Sequence, residues 1–227
     1  MVRISLLGLD QLVDRVEIPP WVIDLDSFHL WTESDDFPDE GRIDYIKGEV
    51  WVDMSKEQIF THASVKNEFN IVLGSMVKTE RLGLYLPDGV LLSNVDADIA
   101  VKPDAFFVSN DARQDRVRLL EGKKGGYVEM EGSPDIVLEV VSDSSVHKDL
   151  RQLRQDYWEA GIREYWMVDA RKEPLVFDIL RHTPKGYRTT KKKDGWIKSN
   201  VFGKSFRLTE RTNDYGDPEY TLEVRER

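Results

Sequence analysis

Glu139 stands in the middle of an apolar run, Pro134-Asp-Ile-Val-Leu-Glu-Val-Val141. The run is rich in β-branched residues and reads as a central strand covered on both faces. A carboxylate placed there must neutralise, find a partner or bind a cation, because an unpaired buried charge is costly. Thirty-five residues earlier, Val101-Lys-Pro-Asp-Ala-Phe-Phe-Val108 carries Asp104 in a second apolar strand. Two acids on two core strands point to a shared site. Their hard oxygen donors suit Mg²⁺ or Mn²⁺. The competing reading gives each acid a local Arg or Lys partner and no catalytic part.

The elements that must position these acids follow from pattern and punctuation. Arg42–Ile46 and Glu49–Met54 flank Lys47-Gly48, which predicts a β-hairpin carrying Asp44. Residues 58–79 have apolar residues at helical spacing, with Ser55 as the expected N-cap. Short strands are expected at Gly83–Pro87 and Val90–Ser93, and a longer one at Ile99–Val108. The charged segment Arg113–Glu131, with Gly125-Gly126, reads as an exposed insertion. After the Glu139 strand come a turn at Ser142–Ser145, a helix over Val146–Ala160 ended by Gly161, and a strand at Glu164–Val168. Strand, helix, strand over about 30 residues predicts a right-handed parallel crossover. Residues 173–227 read as β-rich.

Composition narrows the function classes. The chain has 227 residues, 42 acidic and 32 basic, for a net charge of −10. That balance argues against a protein that coats nucleic acid by bulk electrostatics, but not against a nuclease with unevenly placed charge. The acids gather in residues 24–40 and the bases in 113–124 and 181–193. There is no cysteine, which removes disulfides, thiolate metal sites and cysteine nucleophiles. No stretch approaches the ~20 apolar residues of a membrane span. The N-terminal decapeptide lacks a small-residue cleavage site. The expected location is cytoplasmic, with no membrane partner. His29, His147 and His182 are scattered without zinc-binding spacing.

Several segments, in this order, resemble the Uma2 group of endonucleases within the PD-(D/E)XK nuclease superfamily. They are Asp44-Tyr-Ile-Lys-Gly-Glu-Val50, His62, the Lys-Pro-Asp-Ala-Phe-Phe-Val108 stretch, Ser133 to Ser142, Asp149-Leu150, and Tyr157-Trp-Glu-Ala-Gly-Ile-Arg-Glu-Tyr-Trp-Met-Val-Asp169. The resemblance covers about residues 40–180. It implies an α/β, restriction-endonuclease-like fold: a mixed central sheet flanked by helices, here with a β-rich C-terminal extension. The implied layout is an N-terminal extension and acidic linker over 1–40, a nuclease-like core over 41–180 and the extension over 181–227. It also implies metal-dependent hydrolysis of phosphodiester bonds, with DNA as the expected substrate and a homodimer as the expected assembly.

By that resemblance, Asp104 and Glu139 are catalytic metal ligands, and Asp44 is a third ligand or orients the ion. The lysine that completes such sites is missing from both places where it would be sought. Val141 fills one and Leu153 the other. Lys148 and Arg154 are the first candidates to replace it, and Lys102 shares a strand face with Asp104 by two-residue alternation. The alternative function is a catalytically inactive nuclease-fold protein that binds nucleic acid or a protein. Leu150, Leu153 and Tyr157 also form an apolar stripe at helical spacing, which competes with any catalytic reading of position 153.

Overall fold

The structure is a computed structural model that describes residues 3–7, 16–38 and 40–226. Part of the N-terminal decapeptide read for a leader therefore lies outside the described residues. Strand β1 (Arg3–Leu7) precedes helix α1 (Leu25–Thr32). Asp24 caps α1: its carboxylate accepts from the Ser27 N–H at 2.8 Å, and the Ser27 hydroxyl oxygen accepts from the Asp24 N–H at 2.9 Å. The helix drives Phe28 and Trp31 into the interior against Tyr45 and Phe37. Each such ring contributes about 2–3 kcal/mol by burial. Helix α1, within the stretch expected as extension and linker, thus supplies core.

Strands β2 (Arg42–Ile46) and β3 (Glu49–Asp53) form the expected hairpin. Lys47 and Gly48 have φ of 48° and 82°, the pair of positive values that a two-residue hairpin turn requires. A π-helical turn, Ile59–Ser64, leads into α2 (Val65–Glu80). Ser55 does not cap it. The helix begins four residues later behind Gln58, and the Ser55 hydroxyl meets Ser144 at 3.0 Å.

Next come β4 (Gly83–Pro87), β5 (Leu91–Asn94), β6 (Ile99–Val101) and β7 (Ala105–Ser109). The single strand expected over 99–108 is two strands. Pro103, with no N–H for a ladder, lies at the break. The break also removes the alternation that would have set Lys102 beside Asp104.

Helix α3 (Ala112–Asp115) and strands β8 (Val117–Glu121) and β9 (Tyr127–Gly132) follow. The expected insertion is therefore a hairpin, with β9 parallel to β5 and β8 at the sheet edge. Then come β10 (Ile136–Val140), a second π-helical turn (Lys148–Gln152), α4 (Leu153–Glu159) and β11 (Glu164–Asp169). The chain closes with β12 (Val176–Arg181), β13 (Arg188–Thr189), β14 (Lys192–Lys193), β15 (Trp196–Lys198), β16 (Ser205–Thr212) and β17 (Pro218–Arg225).

Three sheets result among the described residues. The site belongs to the six-stranded one, ordered β13-β12-β11-β10-β7-β4. It is mixed: β10 and β11 run parallel across the predicted crossover, and the remaining pairs are antiparallel. Successive residues of β10 serve opposite faces. Ile136, Leu138 and Val140 join α2 in one apolar core, whereas Val137 joins Leu153 and Tyr157 of α4 in another. Helices thus cover both faces. By the same alternation Glu139 falls on the α4 side.

A seven-stranded sheet, β1-β3-β2-β6-β5-β9-β8, brings Asp44 and Arg42 to the site. The four-stranded sheet β14–β17 buries Ile197, Phe206, Tyr220 and Leu222 in the α2 core. The Leu222 N–H donates to Glu68 on α2 at 2.7 Å.

Asp135, at the entry to β10, ties these layers together. Its carboxylate accepts from the Ser109 N–H at 2.7 Å, from Arg163 at 2.9 Å and from Arg116. Burial pushes its pKa up, but Ser109 and the two guanidinium groups outweigh this and hold it below the usual value of 3.8. A depressed folded pKa means that this stability is present above the unfolded pKa and lost as pH falls through the folded one. Asp135→Asn is expected to cost about 2 kcal/mol at neutral pH. In urea unfolding, the gap from wild type should narrow progressively below about pH 4. A gap that stays constant down to pH 2.5 would contradict this assignment.

Candidate active site

The register sets the first two acids face to face. Leu138 on β10 pairs with Ala105 on β7, so Glu139 comes level with Asp104, the residue just before β7. Both are almost fully buried. Their backbones and carboxylates interlock: the Val140 N–H donates to Asp104 Oδ2 at 2.7 Å, and the Asp104 N–H approaches Glu139 Oε2 at 3.4 Å. Two carboxylates so placed cannot share one pKa. Burial raises both, but the Arg42 guanidinium, 2.7 Å from Asp104 Oδ1, holds Asp104 far below the usual carboxylate range. Glu139 is pushed well above it by burial and by the charges of Asp104 and Asp149. The Tyr157 hydroxyl, from α4, donates to Glu139 Oε1 at 2.6 Å.

Asp44 approaches from β2. Its Oδ1 accepts from the Lys102 N–H at 2.9 Å, and its Oδ2 accepts from Lys148 Nζ at 2.7 Å. Lys148 is 2% exposed, and Asp44, Asp149 and Glu139 keep its ammonium charged against the pull of burial. Asp149, next in the π-helical turn, accepts from the Ser145 hydroxyl through Oδ2. Its Oδ1 is buried without a hydrogen-bond partner. Burial lifts Asp149 to about 6 against the opposing pull of Lys148 and Ser145.

Of the residues singled out in the sequence, Asp44, Asp104, Glu139 and Lys148 therefore come together. Arg154 does not. Its guanidinium lies on the Tyr187 carbonyl at 3.3 Å, because at 100° per residue it turns outward as Leu153 and Tyr157 turn inward. The Lys102 ammonium lies 5.6 Å from the centre of the Phe37 ring, and only its backbone serves the site.

Leu153 is 1% exposed and packs in the apolar layer with Val137 and Tyr157. The apolar stripe therefore describes it. Leu153→Lys is expected to cost roughly 3 kcal/mol, or about 6–12 °C in melting temperature, with no gain in cleavage. Calorimetry and a plasmid assay on the same variant check both parts.

Sequence reasoning missed Arg42, Lys66 and the hydrogen-bonding part of Tyr157. Arg42 was legible, since it shares a face of β2 with Asp44 two residues on. Lys66 was legible too, one turn beyond His62. His62 Nε2 lies 3.6 Å from Asp104 Oδ2, and Lys66 Nζ lies 3.8 Å from Oδ1.

Asp104 and Glu139 suit a divalent ion in donor chemistry. They offer hard oxygens, and the raised Glu139 carboxyl is one that a neighbouring cation would relieve. Arg42 competes for the same Asp104 oxygen. Among the described residues, no group of three or more His, Cys, Asp or Glu side chains is gathered as a ligand set. Asp44 is drawn onto Lys148 instead of joining the pair.

The mixed sheet, covered by helices on both faces with two acids on adjoining strands, defines a restriction-endonuclease-like fold. A putative nuclease of the DUF820 group from Anabaena variabilis shares this fold. Its crystal structure superposes with a TM-score of 0.58 at 16% identity, over 79% of this chain and 90% of that one. None of the curated proteins matches this chain in sequence. The family model for Uma2, described as a putative restriction endonuclease, matches residues 25–210, and the chain belongs to that family. The match begins at α1 and runs into β16, well beyond the 40–180 segment that carries the resemblance.

Proposed function

We propose that the protein is a divalent-metal-dependent endonuclease that hydrolyses phosphodiester bonds in DNA. The observation that carries this reading is the convergence of Asp104 and Glu139 on adjoining strands with Lys148 close by. Asp104 and Glu139 would hold Mg²⁺ or Mn²⁺, which supplies Lewis acidity and a more acidic bound water when present.

The rest of the chemistry is assigned to the chain's own groups. Tyr157 fixes the Glu139 carboxyl through its hydroxyl, so that an oxygen faces Asp104. Lys148 takes the part of the missing lysine from the helix side. Asp44 fixes its ammonium, and its charge stabilises negative charge developing on the phosphoryl oxygens. Arg42 must leave Asp104 Oδ1 or share it, and its guanidinium then lies near enough to pair with a phosphate.

The second reading is a catalytically silent binding module. It is favoured by one observation: Arg42, Lys148 and Tyr157 already satisfy the three acids.

Supercoiled plasmid incubated with Mn²⁺ separates the two readings. The nuclease reading expects nicking in wild type and none in Asp104→Asn. It also expects Mn²⁺ to raise the wild-type melting temperature and to leave that of Asp104→Asn unchanged. Binding of plasmid without nicking, and with no Mn²⁺-induced shift, would establish the module.

A further inference from the structure

A cleft of about 470 Å³ is lined by the three basic residues that lie against Asp104, and its walls contradict the charge of the chain as a whole. On a protein of net charge −10, this cleft carries Arg42, Lys56, His62 and Lys66 against three acids, and Lys102 lines it with its ammonium turned to Phe37.

Three of these basic side chains converge from opposite walls. Arg42 comes from β2, and His62 and Lys66 come from successive turns of the π-to-α helix. Arg42 and Lys66 are largely covered, with side chains 18% and 10% exposed. Two loop carboxylates hold them from the solvent side. Asp88 spans the pair, with Oδ1 at 3.4 Å from Arg42 and Oδ2 at 2.7 Å from Lys66. Glu57 Oε1 bridges His62 Nδ1 at 2.7 Å and Lys66 Nζ at 2.5 Å.

We propose that Arg42, His62 and Lys66 form a subsite for a phosphate group, and that Asp88 and Glu57 occupy it as internal substitutes until a phosphate displaces them. One carboxylate oxygen on each of two cations is the arrangement that two non-bridging phosphate oxygens reproduce, with more charge and more acceptor capacity. The substitutes are easily displaced. Both lie on loops with side chains 40–45% exposed, and ion pairs with an exposed partner are weak. The buried cations, by contrast, cannot leave, so an acid must shield them whenever phosphate is absent. The proposal rests on the nuclease reading for its natural ligand, the backbone phosphate of a nucleic acid. Its chemistry would serve free phosphate equally.

The test uses the full chain in EDTA, so that binding is read without cleavage. The probes are a labelled 20-base-pair DNA duplex, followed by anisotropy, and inorganic phosphate, followed by melting temperature. Asp88→Asn removes an exposed substitute and should tighten duplex binding about threefold to tenfold. Lys66→Met should weaken it about tenfold and flatten its salt dependence by about one ion. Asp53→Asn is the control, since Asp53 lines the same cleft but is held by Ser55 and Ser144.

An equal gain from Asp53→Asn, or unchanged affinity in Asp88→Asn, overturns the subsite. If plasmid nicking with Mn²⁺ persists in that case, the nuclease reading stands alone. If the duplex fails to bind, but phosphate stabilises Asp88→Asn more than wild type and leaves Lys66→Met unmoved, the subsite stands and the nuclease reading falls.

Discussion

Glu139→Gln should reduce Mn²⁺-dependent nicking by at least ~10²-fold, the scale of losing one preorganised electrostatic contact, without weakening the fold. The amide keeps the oxygen that accepts from Tyr157, and Gln matches Glu in size. What disappears is a charge crowded by Asp104 and Asp149. Glu139 has a raised folded pKa, so the folded state binds more protons than the unfolded one above the ordinary carboxylate pKa. Wild-type stability therefore falls as pH rises through that range, while the Gln variant escapes the fall. Melting curves from pH 5 to 9 should show the variant gaining on wild type towards alkaline pH. A variant that loses stability at every pH and cleaves normally would place Glu139 among structural residues.

Lys148→Met should be the most damaging single change. It strands Asp44, 1% exposed, and takes from Asp149 the cation that opposes its burial. Breaking a buried pair from one side costs about 3–5 kcal/mol, and for a chain of this size that corresponds to roughly 10 °C in melting temperature. Loss of activity alone would then say little. The informative variant is Asp44→Asn with Lys148→Met, which removes both charges and should recover at least half of the lost stability. If Lys148 serves only the fold, the double variant nicks plasmid at close to the wild-type rate. If Lys148 replaces the missing lysine, it remains inactive at full folding, as judged by circular dichroism.

Much of the central sheet was legible because local and global signals agree there. The β2–β3 hairpin is written in Lys47-Gly48, and the β10–α4–β11 crossover in a buried strand, a helical stripe and Gly161. Helix α1 was hidden by composition. Its acidic surroundings suggest linker, although Asp24 and Ser27 at cap spacing, followed by Phe28 and Trp31, carry the signal. The β8–β9 hairpin was hidden for the opposite reason. It is a charged edge whose partner, β5, lies far away in sequence, and no local pattern reports a parallel pairing of that kind. In the site, Asp104, Glu139 and Asp44 could be read because an acid in an apolar setting is conspicuous. Arg154 was misplaced although its 100° offset from Leu153 already turns it away from the inward face of the helix. Arg42 and Lys66, which lie against Asp104 with His62, were missed although their spacing from Asp44 and His62 was legible.

Both helices that serve the site enter through a π-helical turn, one delivering His62 and the other Lys148 and Asp149. Such a turn is, in effect, one residue more than an α-helix needs over the same rise. Residue counting backward from Tyr157 therefore goes out of phase with the helix face before it reaches Lys148. The position at which the resemblance places a lysine, Leu153, lies within α4 on the far side of this turn from Lys148. Deleting a single residue between Lys148 and Gln152 would turn the upstream side chains by about 100° relative to α4, carrying the ammonium off Asp44 while leaving Asp44, Asp104, Glu139 and Lys148 in the chain. In this chain, loss of one residue at that turn is expected to disturb the Lys148–Asp44 contact as much as substitution of Lys148 would.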